Sequence, residues 1–444
     1  MCGGFETNAV HGGYAASEHA HAGVPPIYMS AAFDMESAAR GDALSAGTED
    51  GFSYSRVANP TVDVLERRLA ALEGGRSAVA VASGMAAVSF ALLCAAEGGG
   101  RIIAPKTLYG ASVDAMASFF PQFGVHTDFV ERINDLDEVE ALIGPDTRAV
   151  FAESVANPST EVTDVAGLAE LAHRYGVPLI IDNTVPTPYL FRPIRWGADV
   201  VVHSTTKGIS GHGNTLGGVV VDAGRFDWGS PRFPQFTRTE VVVSDDRAGV
   251  WHSFASRFGA DAYIRRLRIK YVRTFGAVES PFNAYLQLLG LETLPVRIRQ
   301  QTRSATAIAR HLRTLPHVRD VRYAGLALAD PEGAAGQDAR QAELVRRSFP
   351  DGVGGVLSFE LDGDRVRIAR VLDSVRVFTY IPNIGDSRSL IVDPARITHR
   401  EVPADFRAAA GVTDNLIRLS IGLEDVEDLI ADLDQAIARA YDEQ

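Results

Sequence analysis

The residues "HSTTKGISGHG" at positions 203–213 follow directly on the apolar run "ADVVV" at 198–202. A lysine here sits among small hydroxyl and glycine residues, at the end of what reads as a buried strand. Lysine is scarce in this chain. Lys106, Lys207 and Lys270 are the only lysines among 43 basic residues, and all the others are arginine. A guanidinium stays protonated and is a poor nucleophile, whereas a desolvated amine can become neutral and attack a carbonyl. Lys207 therefore reads as an amine placed for chemistry.

Working outward from this stretch, short apolar runs alternate with helical patterns. "SAVAVA" precedes "GMAAVSFALLCAAE", "RIIAP" precedes "GASVDAMASFFPQF", and "TDFVE" precedes "LDEVEALIG". "RAVFAE" leads to "DVAGLAELAHRYG", and "VPLIID" and "ADVVVH" close the series. Continuous apolar strands alternating with helices predict an α/β fold with a mostly parallel sheet covered on both faces. Ligands in such sheets bind beyond the carboxyl ends of the strands. Upstream, residues 1–60 are rich in Gly, Ala and Ser and read as an extended arm, and "PTVDVLERRLAALEGG" reads as the first regular helix. Residues 61–283 are expected to form the large domain and 284–444 a smaller α+β domain. Within the first of these, the Arg-, Phe- and Pro-rich stretch 224–275 reads as an insertion or surface excursion. The segment "LALADPEGAAGQDARQAE" reads as an exposed loop and helix.

Composition narrows the class. At 444 residues the chain exceeds the ~100–200 residues of one domain. Its 46% hydrophobic and 22% charged residues fit an ordinary globular protein. A net charge of −13 argues against nucleic acid or an anionic membrane as partner. Cys2 and Cys94 are the only cysteines, too few for a disulfide framework. The N-terminus shows no basic region followed by an apolar core. No window holds ~18 uninterrupted apolar residues. These features predict a cytoplasmic protein.

Four strand ends carry polar residues that can converge with Lys207. Ser83, Gly84 and Met85 open a helix after "AVAVA", and a helix N-terminus suits a phosphate, although small residues begin many helices. Tyr109 follows "RIIAP" and offers a ring for stacking, or ordinary packing under a loop. Asn157 follows "AVFAES" and precedes Pro158, a dipeptide that by itself favours a turn. Asp182 closes "VPLII", where a buried carboxylate needs a partner; a protonated pyridine nitrogen or an internal arginine would serve. Asp182 lies about one βα unit before Lys207, so the two are expected to end neighbouring strands. Ser204 and Thr206 flank the lysine and can donate to phosphate. A lysine for a carbonyl, a carboxylate for a ring nitrogen, an aromatic face and phosphate donors are together the requirements of pyridoxal 5'-phosphate.

Read whole, the chain resembles the Cys/Met-metabolism family of pyridoxal-phosphate enzymes, with its aspartate-aminotransferase-like fold (fold type I). The resemblance runs through "YSRVANPT", "ASGMAA", "LYG", "ESVANPS", "IDNT", "HSTTKGISGHG", "NIGDSRSLIVDPARITHRE" and "IRLSIGLEDVEDLI". It implies that Lys207 holds the cofactor and that Asp182 pairs with its ring nitrogen. Tyr109 would stack on the ring, Asn157 would lie near the phenolic oxygen, and Ser83, Gly84, Met85, Ser204 and Thr206 would hold the phosphate. Tyr54 and Arg56 would reach a neighbouring subunit's phosphate, implying a dimer with shared sites, usually paired into a tetramer. Arg418 would grip the substrate α-carboxylate, assisted by Asn383.

Within the family, "NIGDSRSL" and the long excursion after the lysine resemble the O-acetylhomoserine sulfhydrylase branch. The implied activity is γ-replacement on O-acetyl-L-homoserine with sulfide or a thiol, releasing acetate, with Tyr109 and Tyr54 as candidates to assist proton movement. Other activities of this scaffold are the alternatives: cystathionine γ-synthase, methionine γ-lyase, or transfer to an unusual carbon, nitrogen or larger thiol nucleophile. One departure bears on that choice. Gly208 follows the lysine where the family usually has a large aromatic residue, so a roomier pocket or a looser lysine is expected. "GHGNTLGG" lacks the spacing of a nucleotide loop and reads as a glycine-rich turn and strand. No metal is expected: His203 and His212 flank the lysine without further ligands at metal spacing.

Overall fold

A computed structural model describes residues 3–245, 248–329 and 339–442. Two sheets organise the chain. The larger contains β1 (Ser77–Val81), β2 (Arg101–Pro105), β3 (His126–Val130), β4 (Thr147–Glu153), β5 (Leu179–Asp182), β6 (Val200–His203) and β7 (Gly218–Asp222) in the order β1-β7-β6-β5-β4-β2-β3. Only β7 runs antiparallel, between β1 and β6, so the sheet is mostly parallel as expected. The smaller sheet contains β8 (Val318–Arg322), β9 (Val356–Leu361), β10 (Thr379–Tyr380), β11 (Leu390–Val392) and β12 (Leu416–Ser420) in the order β10-β11-β12-β9-β8.

The apolar runs are continuous because both faces of the large sheet are buried. Ile180, Val200, Val202 and Val220 belong to one apolar cluster, while Ile181, Val201, Val219 and Val221 belong to the other. That alternation is the period of two of a strand, with helices covering each side. Among the described residues no helix is long and apolar enough to cross a membrane.

Three features depart from the sequence reading. The first sixty residues are not extended throughout. Phe5–His11 is helical and packs on the helices Pro60–Glu73 and Pro281–Glu292, burying Ala9. One buried apolar residue in two turns leaves almost no periodic signal. The stretch 224–275 is no surface excursion either. Trp228, Phe233, Phe236 and Tyr263 stack into a buried aromatic cluster, and Gln235 donates to the carbonyls of Cys94 and Ala95. Its Trp251 is half exposed. Last, the boundary drawn between 283 and 284 falls inside the continuous helix Pro281–Glu292, which packs on Pro60–Glu73. Of the segment read as an exposed loop and helix, residues 330–338 lie outside the described residues, as does Cys2; Ala339–Ser348 is helical.

Two carboxyl groups beside the sheet predict a pH dependence. Burial pushes Asp222 up to about 7 and Glu279 up to about 8, with backbone or amide donors and, among the described residues, no cation in hydrogen-bond reach. Both are raised above their unfolded values, so the folded chain holds the extra protons. The stability they contribute is complete below about pH 4 and is lost as pH rises through about 7–8. Thermal melts should therefore show the midpoint falling between about pH 5 and pH 8, with a shallower fall in Glu279→Gln.

Candidate active site

The carboxyl ends of the parallel strands converge on a single pocket of about 210 Å³. β1 runs into the helix Gly84–Ala96, whose N-cap Ser83 accepts from the Ala86 amide at 3.2 Å. The first-turn amides of Gly84 and Met85 have no intrahelical acceptor and face outward by helix geometry. Gly84 must be glycine, because a Cβ there would lie 2.5 Å from the Ser204 Cβ. That helix start and the Ser204 turn thus close on each other with no side chain between them. β2 leads to Tyr109, β4 to Asn157, β5 to Asp182 and β6 to Ser204, Thr206 and Lys207, all of which line the pocket. Asp182 and Lys207 end neighbouring strands, since Asp182 pairs with Val202 in the sheet. Thr206 lines the pocket with its hydroxyl held between the amide and carbonyl of Gly217.

The smaller sheet supplies the far wall. Arg418 stands on its central strand β12, between Ser358 of β9 and Val392 of β11, and Asn383 lies in the loop before β11. Arg418 donates to the Asn157 side-chain oxygen at 3.3 Å and to the Asn383 carbonyl at 3.1 Å. Lys207 Nζ donates to Asn383 Oδ1 at 2.5 Å, joining the two sheets across the pocket. Tyr54 and Arg56 do not line this pocket. Arg56 donates to the Arg273 carbonyl at 2.8 Å, and its guanidinium lies 5.4 Å from the half-exposed Tyr54 ring.

The electrostatics are those of a site built for a charged guest. Burial, and then Arg418, push the Lys207 amine down to about 8. Burial raises Asp182 above the usual carboxylate range, opposed by hydrogen bonds from Thr184. Burial also lowers Arg418 to about 10, and its Nε is a buried donor without a partner. An unpaired carboxylate, an unpaired guanidinium and a depressed amine in one pocket are costly unless a ligand supplies the missing partners. Pyridoxal phosphate fits this donor set: its ring nitrogen would answer Asp182, its aldehyde Lys207, and its phosphate the closed Gly84–Ser204 cradle.

Two residues, one lining the pocket and one beside it, escaped the sequence reading. Glu153 ends β4 beside Asp182, and it carries the same signal as Asp182: a carboxylate closing an apolar strand. His399 is buried next to the site and is held down to about 4 by burial and the Arg418 charge, so it is neutral. The histidines flanking the lysine are both engaged by protein groups. His203 Nε2 donates to the buried Glu73 at 2.5 Å, and His212 Nδ1 donates to the Ser210 carbonyl at 2.6 Å. Among the described residues no group of three or more His, Cys, Asp or Glu is arranged to hold a metal.

Gly208 does not open the pocket. A Cβ there would lie 2.8 Å from Thr187 Cγ2 and 3.4 Å from Ile298 Cδ1, directed into packed structure. The lysine is not loosened either. Gly385, at φ +72°, rests against the backbone of Gly208, and the buried Arg297 donates to the Gly208 carbonyl at 2.9 Å. Gly208→Ala should therefore cost about 1–3 kcal/mol through overpacking and lower the melting temperature, leaving the preference among nucleophiles unchanged. A loss of large nucleophiles alone, at unaltered stability, would show that Gly208 faces the substrate.

Fold and site together define a pyridoxal-phosphate-dependent enzyme of fold type I. The chain belongs to the Cys/Met metabolism PLP-dependent enzyme family, whose model matches residues 6–438. It is 39% identical over 440 residues to the sulfhydrylase FUB7 of Gibberella moniliformis, covering 98% of each chain. It is 37% identical to an O-acetyl-L-homoserine sulfhydrylase of Leptospira meyeri, covering 97% of this chain and 96% of the relative. Among solved structures, it superposes with a TM-score of 0.91 on a Campylobacter jejuni protein described as an O-acetylhomoserine (thiol)-lyase. That protein carries N'-pyridoxyl-lysine-5'-monophosphate and is 35% identical, with 98% of this chain and all of the other covered.

Proposed function

We propose that this enzyme transfers the aminocarboxypropyl group of O-acetyl-L-homoserine to sulfide or a small thiol. The bond from the γ-carbon to the ester oxygen breaks, acetate leaves, and a carbon–sulfur bond forms at the same carbon while the thiol gives up its proton. The observation that carries this reading is the meeting of Lys207, Asp182 and Arg418, whose buried Nε has no partner among the described residues, in one pocket. The choice of substrate rests on full-length likeness to relatives named for it.

Bound pyridoxal phosphate would supply an electron-withdrawing ring that makes the proton on the substrate's amino-bearing carbon acidic, and then those on the carbon beside it. Lys207 is the residue to hold it, and once released its amine can carry a proton near neutral pH, because burial has brought that amine down to about 8. Asp182 would hold the protonated ring nitrogen, and Tyr109 and Asn157 would flank the ring. Ser83, Gly84, Met85, Ser204 and Thr206 would hold the phosphate. Arg418, with Asn383, would orient the substrate through its α-carboxylate. Tyr54 and Arg56 project from the arm outside their own pocket, which supports a role in a neighbouring subunit's phosphate site and a homo-oligomer of dimers with shared sites. Tyr54 and Tyr109 would assist proton transfer. A cytoplasmic location accompanies this reading.

Product analysis decides it. The cofactor-loaded protein given O-acetyl-L-homoserine should form homocysteine and equimolar acetate only when sulfide is present. Formation of 2-oxobutyrate in either reaction would replace transfer by elimination.

A further inference from the structure

Glu153 is the one carboxyl group of the pocket with no role in the account so far. It ends β4 and stands in register with Asp182 at the end of β5, so two carboxyl groups lie side by side with the cofactor pocket before them. Glu153 is also tethered to the residues that flank the ring. One of its oxygens accepts from the Tyr109 amide at 2.7 Å, and the other lies 3.3 Å from the Asn157 amide. Behind it is a cavity of about 10 Å³, bounded by Leu108, Ile133, Thr163 and the half-buried Glu161, near the least volume that holds one water.

We propose that Glu153 is a further positioning residue of the site, acting as an un-ionised carboxylic acid that fixes Tyr109 and Asn157 beside the carboxylate of Asp182. A charged Glu153 would place a second anion beside Asp182 with, among the described residues, no cation of its own in hydrogen-bond reach. Burial, and then the Asp182 charge, push Glu153 up, in the direction that keeps its proton, and outweigh the opposing pull of the Tyr109 and Asn157 amide bonds. The charged and titratable groups around it are Asp182 from β5, Tyr109 from the turn after β2 and Glu161 across the cavity. Lys207 and Arg418 lie across the pocket, and His399 lies beyond Asn157. Because Glu153 is neutral, the single carboxylate of Asp182 is left to answer the ring nitrogen, and the cavity gives the acid a place to exchange its proton with water.

This inference rests on the pocket being the pyridoxal-phosphate site, and its test separates the two ideas. Wild type, Glu153→Gln and Glu153→Ala are loaded with pyridoxal phosphate, and the dissociation constant and visible circular dichroism of the bound cofactor are followed with pH. Failure of the wild type to bind would overturn the reading of the pocket itself. Glutamine is neutral like the un-ionised acid and keeps the carbonyl that accepts the shorter bond from Tyr109, losing only the long contact from Asn157, so at neutral pH its affinity should fall no more than about fivefold and its dichroic band should keep its sign and position. Alanine removes both tethers and should weaken binding about tenfold or more, with a reduced dichroic band. As pH rises between about 7 and 9, the wild-type band should change as Glu153 ionises, and the glutamine variant should lack that change. Glutamine as damaging as alanine at neutral pH would overturn the inference, and so would alanine matching wild type. Should the alanine variant not fold, a wild-type pH response that persists in glutamine overturns it by itself.

Discussion

Lys207→Ala is expected to lower turnover at least about 10³-fold while the protein stays folded and still takes up pyridoxal phosphate without a covalent bond. Removing a positioned proton carrier alone costs about 10²–10⁴-fold, and this substitution also removes the amine that bonds the cofactor. No other lysine can substitute. Lys106 is paired with Glu131, and Lys270 donates to Glu240 at 2.6 Å, both away from the pocket lining. The amine that remains in wild type is depressed to about 8, so a useful share is neutral at physiological pH. Steady-state kinetics with a small primary amine added to the variant should show partial rescue. Undiminished turnover in the variant would remove Lys207 from the chemistry.

Arg418→Gln is expected to lower kcat/KM for O-acetyl-L-homoserine by about 10²–10³-fold, equivalent to about 3–4 kcal/mol of lost recognition. In the free protein the guanidinium is buried, bonded only to neutral oxygens, with a donor left over. A substrate carboxylate would complete it, and glutamine cannot replace a forked, charged donor. Lysine should recover little, because a point charge does not reproduce the fork geometry. Cofactor absorbance and affinity should change far less than kcat/KM, since the role proposed for Arg418 is toward the substrate. If cofactor binding collapsed in step with catalysis, Arg418 would belong to the cofactor's own cradle.

Residues at strand ends were the most legible part of this site. Asp182 and Lys207 close consecutive apolar runs, and parallel strands in one sheet bring such residues to one edge by geometry. Arg418 and Asn383 carry no comparable signal. They come from a second sheet, and nothing local in "IRLSIG" or "PNIG" says that they cross to the lysine; only the family resemblance placed them. Glu153 was legible by the same argument as Asp182, though its tethers to Tyr109 and Asn157 depend on two loops the sequence does not join. Gly208 was misleading for a similar reason. Whether a missing side chain leaves space depends on Thr187 and Ile298, which reach it from distant parts of the chain. The arm helix Phe5–His11 and the aromatic cluster of 224–275 were hidden because their burial is tertiary, with too few periodic positions to show beforehand.

The central claim is that this pocket holds pyridoxal phosphate on Lys207, and with only three lysines in the chain it can be tested directly. The loaded protein would be reduced with borohydride to trap the cofactor on its amine, digested, and mapped by mass spectrometry. The pyridoxyl group should be found on Lys207 and on neither Lys106 nor Lys270. A label on either of those, or none on Lys207 in fully loaded protein, would contradict the account.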